Sequence, residues 1–179
     1  MERIFIVIDM QNDFISGSLG TPEAVAVVDK IRNKIENNFD DYTAIFFTRD
    51  THGYNYLNTQ EGKKLPIKHC MFESAGWAVT DKIIKIFYEK RPHPNCLKFI
   101  NKNHFGTLDW EKYISYPSEI EICGVCTDIC VIVNALILKT MFPETRIIVD
   151  AFCCAGTTPE MHRKALDIMK SCQIEVINE

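Results

Sequence analysis

The feature that most constrains this chain is a set of short, apolar-rich segments that read as strands. The first, Ile4–Ile8, reads Ile-Phe-Ile-Val-Ile and stops at Asp9. A run without polar alternation marks a strand buried on both faces, as in a parallel sheet covered by helices. Ala44–Thr48 reads as a second buried strand, and Cys96–Lys102, Glu119–Cys123, Thr145–Val149 and Ile174–Ile177, with charged residues among the apolar ones, as further strands. Helical segments fall between them. Thr21-Pro22-Glu23 and Thr158-Pro159-Glu160 are two helix starts, with Thr as N-cap and Pro in the first turn. The first of these helices is expected to run to about Asn37, with Val25, Val28, Ile31 and Ile35 on one face, and the second to about Ser171. Shorter helices are expected over Asp81–Glu89, Leu108–Ile114 and Asp128–Thr140. This alternation predicts one domain, 1–179, with a parallel sheet and helices on both faces.

The bulk numbers exclude several alternatives. The chain has 179 residues, 46% of them hydrophobic, and a net charge of −4, which does not suit a nucleic acid or an anionic membrane as partner. No apolar run approaches the ~18 residues of a membrane helix. Met-Glu-Arg leads straight into the first strand, so no export signal is expected and the location is expected to be cytoplasmic. Eight cysteines in such a chain are then expected as reduced thiols.

In open α/β sheets ligands bind beyond the carboxyl ends of the strands. Asp9, Asp50 with His52, Lys102, the 124–130 turn and Asp150 are placed there by the strand assignments. The stretch Cys123-Gly124-Val125-Cys126-Thr127-Asp128-Ile129-Cys130 runs from a strand through a turn into a helix. A thiol at Cys130 would face unpaired N–H groups and the positive helix end, which favour thiolate and nucleophilicity. A nucleophile needs a base in reach, and Asp9 ends a strand expected beside it. Lys102 at a strand end can project toward that thiol; Lys98, inside the same strand, is the competitor. Asp50 and His52 lie two apart on extended chain and point to one side, and with His69 they suit a divalent transition metal. Residues 53–77 are too long for a plain connection and read as functional. His93, His104 and His162 are not expected as ligands. Cys123 and Cys126 form a Cys-x-x-Cys that also fits a redox pair or half a zinc site. Cys153-Cys154 reads as core or pocket lining.

Together, Ile-Asp9-Met-Gln-Asn-Asp-Phe, Thr-Arg-Asp50-Thr-His52, Leu-Pro-Ile-Lys-His69-Cys, Lys102 before a Phe-Gly-Thr, and Cys-Gly-Val-Cys-Thr-Asp-Ile-Cys130 resemble the isochorismatase-like cysteine hydrolases. That superfamily includes the nicotinamidases. The resemblance spans nearly the whole chain. It implies a Rossmann-like three-layer α/β/α fold with a six-stranded parallel sheet. It implies a catalytic Cys130, Asp9 and Lys102, a cis peptide between Val125 and Cys126, and an oxyanion hole from the N–H groups of Cys126 and Cys130. It implies a divalent metal such as zinc on Asp50, His52 and His69, and a substrate pocket involving Gln11, Phe14 and Val125, with Asp13 as a polar neighbour. The implied activity is hydrolysis of a small carboxamide, nicotinamide first among them, through a thioester. The alternatives are another small amide or N-carbamoyl substrate, and a redox-responsive member without catalysis. Members often form dimers or tetramers, so a homo-oligomer is open. Two positions depart from the nicotinamidase pattern: Asn58 stands where a further His is usual, and Leu65 where Trp is.

Overall fold

The computed structural model describes residues 2–89 and 97–179. Its strands are β1 (Arg3–Ile8), β2 (Ala44–Asp50), β3 (Leu97–Lys102), β4 (Glu119–Val125), β5 (Arg146–Ala155) and β6 (Glu175–Ile177). They form one six-stranded sheet in the order β3-β2-β1-β4-β5-β6, every pair parallel. β1 is buried from Ile4 to Ile8, as a central strand covered on both faces must be. The helices are α1 (Asn12–Ile15), α2 (Pro22–Asn38), α3 (Gln60–Lys64), α4 (Asp81–Glu89), α5 (Ile132–Met141) and α6 (Pro159–Ser171). α2 packs with α4, and α5 packs with α6. The Rossmann-like three-layer fold follows, and the expected sheet is correct in strand number and sense. The order of strands reverses between β1 and β4. Residues leaving those two strands therefore open a crevice at the carboxyl edge.

The Thr-Pro-Glu starts behave as expected. Thr21 accepts from Ala24 N and Thr158 from Met161 N, each at 3.1 Å. The buried face of α2 is Ala24, Val27, Val28, Ile31 and Ile35; Val25, expected on it, is half exposed because its position falls one step off the stripe. The segment 108–114 holds only a 3₁₀ turn at Trp110–Lys112, pinned by the fully buried Trp110 ring set edge-on to Phe46. Cys96 and His93 lie outside the described residues.

Two differences bear on the site. β5 does not end before Asp150 but continues to Ala155. A register shift against β4 between Ile122 and Gly124 absorbs the extra length. Asp150 is thus a mid-strand residue away from the carboxyl edge. It is held by Lys34 Nζ at 2.5 Å and by Asn178 Nδ2 at 3.2 Å, and Lys34 also pairs with Glu121. The helix expected from Asp128 starts later. A π-helical turn, Thr127–Val131, comes first, with Ile129 N and Val131 N both donating to Cys126 O at 3.1 Å. The chain enters it through Gly124, at φ 120°, and a cis Val125–Cys126 peptide. Only glycine fits at 124, because a Cβ there would come within 2.1 Å of Ile8 O on the neighbouring strand.

Candidate active site

Asp9 leaves β1 with φ 49° and is fully buried. Thr48, on the adjacent β2, accepts from Asp9 N at 3.1 Å and donates to Asp9 Oδ1 at 2.7 Å, which fixes the carboxylate. Lys102 ends β3 in register with Asp50. Its side chain reaches back over the sheet edge, so that Nζ lies 2.6 Å from Asp9 Oδ2, 3.8 Å from Asp50 Oδ1 and 3.7 Å from Cys130 Sγ. Lys102 Nζ also donates to His104 O at 3.1 Å. Lys98 is exposed four residues earlier on β3, its Nζ 5.7 Å from the Phe46 ring centre, toward the start of the strand and away from the carboxyl edge. Asp9, Lys102 and Cys130 thus meet where β1 and β4 part, drawn from three strand ends.

Burial dominates the electrostatics. It raises the Cys130 thiol well above its ordinary value, and the nearby Asp9 carboxylate adds to this against Lys102. The helix end expected to favour thiolate is thus opposed by the loss of water and by the adjacent anion. Burial also raises Asp9, opposed by Lys102. For Lys102, burial is outweighed by Asp9, Cys130 and Asp50, and the ammonium is held.

A second cluster adjoins the first. Asp50, His52, Glu61 and His69 place ligand atoms within 4.8 Å of one another. His52 Nε2 is 2.8 Å from Asp50 Oδ2 and 3.5 Å from Glu61 Oε1; His69 Nε2 is 3.5 Å and 3.8 Å from the same two atoms. The three residues expected as ligands come together. Glu61 is a fourth that sequence reading missed. The available signal was Thr59, which caps α3 by accepting from Gly62 N at 3.0 Å and so sets Glu61 in a first helical turn. Asn58 is exposed in the preceding 3₁₀ turn and outside the cluster. His69 Nδ1 pairs with Ile67 O at 2.8 Å, leaving Nε2 to face the carboxylates. His52 Nε2 is buried and faces the same two carboxylates, so both imidazoles converge on them. Two imidazoles and two carboxylates fit a divalent transition metal. Burial raises the Asp50 carboxyl, but hydrogen bonds from His52 and His69 outweigh it and hold the group below the usual range. Tyr56, also missed, packs its ring 4.5 Å from His52 and 5.1 Å from His69.

A cavity of about 300 Å³ joins the clusters. Phe14, Leu19, Leu65, Phe105 and Ile129 form apolar walls, with Cys126, Cys130, Asp50, Glu61 and His69 between them. Phe14 lines it as expected. Gln11 and Val125 do not. Gln11 is fully buried and clamps backbone instead, donating to Asp50 O and Trp77 O at 2.9 Å and accepting from Asp50 N at 2.7 Å. Val125 is buried at the end of β4. Asp13 accepts from Cys70 N at 2.7 Å and so holds the segment bearing His69. Where described, the histidines not expected as ligands lie outside the donor set. His104 supplies its carbonyl to Lys102, and His162 Nδ1 pairs with Thr127 Oγ1 at 2.8 Å behind the turn. The described cysteines are free thiols. Burial drives Cys123 well above its ordinary value and Cys126 up to about 12, which does not suit a reactive redox pair.

Fold and site define a doubly wound α/β protein with a buried thiol–carboxylate–ammonium cluster beside an imidazole–carboxylate donor set. The chain belongs to the isochorismatase family: the Isochorismatase domain model matches residues 3–179. It is 24% identical over 221 residues to a nicotinamidase of Saccharomyces cerevisiae, covering 99% of this chain and 100% of that one. It is 26% identical over 186 residues to a nicotinamidase/pyrazinamidase of Mycobacterium tuberculosis, covering 98% of each. Among solved structures, a nicotinamidase from Bacillus subtilis superposes with a TM-score of 0.85 at 22% identity, over 99% of this chain and 100% of that one. A pyrazinamidase of Pyrococcus horikoshii in complex with zinc gives 0.77 at 23%, over 100% of both chains. Among the described residues no helix is long and apolar enough to cross a membrane.

Proposed function

We propose that this chain is a cysteine amidohydrolase that converts a small aromatic carboxamide, nicotinamide in the first instance, to the carboxylate and ammonia. The observation that carries the reading is the contact of Lys102 with both Asp9 and Cys130 at one end of a mostly apolar cavity whose wall holds Asp50, Glu61 and His69. Full-length relatives named as nicotinamidases support the substrate class.

The raised thiol sets the order of events. Cys130 keeps its proton until attack, and Asp9 takes that proton as the sulfur–carbon bond forms. The carbonyl oxygen becomes an oxyanion facing the N–H groups of Cys126 and Cys130, donors worth about 3–4 kcal/mol each in other enzymes. The tetrahedral adduct then collapses. The C–N bond breaks, Asp9 returns the proton to nitrogen, ammonia leaves and a thioester remains. A water attacks the thioester, gives its proton to Asp9, and the C–S bond breaks. Asp9 then reprotonates the sulfur. Lys102 stays charged throughout and keeps Asp9 in place. Asp50, His52, Glu61 and His69 would hold a divalent metal, zinc being the proposed ion. When bound, it supplies a Lewis-acid position for a ring nitrogen beside the cavity.

Ammonia release from nicotinamide, pyrazinamide and N-carbamoyl compounds tests the reading. Turnover of nicotinamide is expected, and Cys130→Ala is expected to lower kcat by at least about 10⁴-fold in a folded protein. Full turnover by that variant would overturn the cysteine mechanism.

A further inference from the structure

Asn134 is fully buried in α5, among apolar neighbours. An amide in such a place is costly unless its donors and acceptor are used. Here Nδ2 donates to Cys130 O at 2.8 Å and to Phe105 O at 3.1 Å, and Oδ1 accepts from Thr107 N at 3.2 Å. One side chain therefore binds the backbone of the nucleophile turn to the segment that follows β3.

That segment matters because of what it carries. Lys102 leads into it and donates to His104 O, and Phe105 lines the cavity. In the sheet, β3 is separated from β4 by β2 and β1. Ladder hydrogen bonds set the distance between Lys102 and Cys130 only through two intervening strands. Asn134 spans the same gap directly. Gly106 shows how closely the segment sits on α5, since a Cβ there would lie 2.6 Å from Val133 Cγ1 and 2.8 Å from Ile137 Cδ1.

We propose that Asn134 is a positioning residue for the nucleophile: it sets the separation of Cys130 from the Lys102–Phe105 segment and touches no substrate. This rests on Cys130 being the nucleophile. A misplacement of about 1 Å at a reacting group costs on the order of 10²-fold in rate, so a lost brace acts on kcat more than on KM.

The test uses the full-length protein as wild type, Asn134→Ala and Gly106→Ala. The glycine change pushes the segment off α5 beside Asn134, whose Oδ1 lies 3.5 Å from the added Cβ, while the Asn134 side chain itself is kept. Each is assayed well below its melting temperature for kcat and KM on nicotinamide. Site-resolved alkylation of Cys130 by iodoacetamide is followed by mass spectrometry. Asn134→Ala is expected to lower kcat by about tenfold or more with KM changed by less than about threefold, and to change the Cys130 alkylation rate by a comparable factor. Gly106→Ala is expected to shift both in the same direction, and it decides the matter if Asn134→Ala does not fold. Variants whose kcat and alkylation rate stay within about twofold of wild type overturn the role of Asn134 alone. A Cys130→Ala protein that turns over nicotinamide at the wild-type rate overturns the nucleophile reading, and this role with it.

Discussion

The Asp9 carboxylate and Lys102 ammonium sit 2.6 Å apart where neither is hydrated, with Thr48 holding the other carboxylate oxygen. Burial raises Asp9, while Lys102 and the Thr48 hydroxyl each lower it. The direction has a kinetic consequence. As pH falls through the raised value, Asp9 binds a proton and can no longer accept one from Cys130. kcat/KM is therefore expected to fall on its acid side above the ordinary carboxylate range near 4. Thr48→Val removes one group that favours the carboxylate and should move that acid limb to still higher pH. A pH profile of kcat/KM for both proteins checks this, and an unmoved or lowered limb in Thr48→Val would contradict it. At this scale the sequence was informative about chemistry and less so about protonation. Asp9, Lys102, Asp50 and His52 were legible as candidates from residue type and position at strand ends, Cys130 from the turn into a helix, and His69 from the loop after His52. The state of the thiol was not, because desolvation depends on what the rest of the chain packs around it.

Among the elements, α2 is fastened to the sheet by charge as well as by its apolar stripe. Lys34 lies between Glu121 of β4 and Asp150 of β5, and Tyr42 donates its hydroxyl to Glu121 Oε2 at 2.8 Å. Burial lowers Lys34, but hydrogen bonds to the two carboxylates outweigh it and raise the ammonium above its ordinary value. Lys34→Ala leaves two buried carboxylates facing each other. The loss is expected to be about 3–5 kcal/mol in urea unfolding at neutral pH. The sign with pH is fixed by that repulsion: the folded variant prefers one carboxyl protonated, so the deficit should shrink as pH falls from neutral toward acid. A deficit that stays constant with pH would remove the repulsion argument. Elements with local start signals, α2 and α6, were readable, and so was the amphipathic α4. The π-helical turn and the length of β5 were not. Both depend on a register shift between two strands, which no local pattern encodes.

For the whole molecule, the donor set joins β2, the chain that follows it, and α3, so metal binding is coupled to their mutual packing. An ion that binds the folded chain alone adds about 2.7 kcal/mol at 100 times its dissociation constant, roughly 5–10 °C for a chain of this size. Zinc is expected to raise the melting temperature of chelator-treated protein by that order. In His69→Ala and Glu61→Ala the increment should shrink, with bound metal measured on the same samples. An unchanged increment in both would remove those residues from the site. The sequence by itself determined the α/β class, the parallel strands, the family and most reactive side chains, because buried strands, helix starts and reactive residues are each written in short stretches of chain. Only the tertiary structure decided that Glu61 completes the donor set, that Gln11 clamps backbone, that Asp150 belongs to an ion cluster under α2, and that Asn134 joins two segments. Each of these depends on groups distant in sequence meeting in a volume that excludes water, where an unpaired charge or amide is too costly to leave and the partner is chosen by the packing of the entire chain.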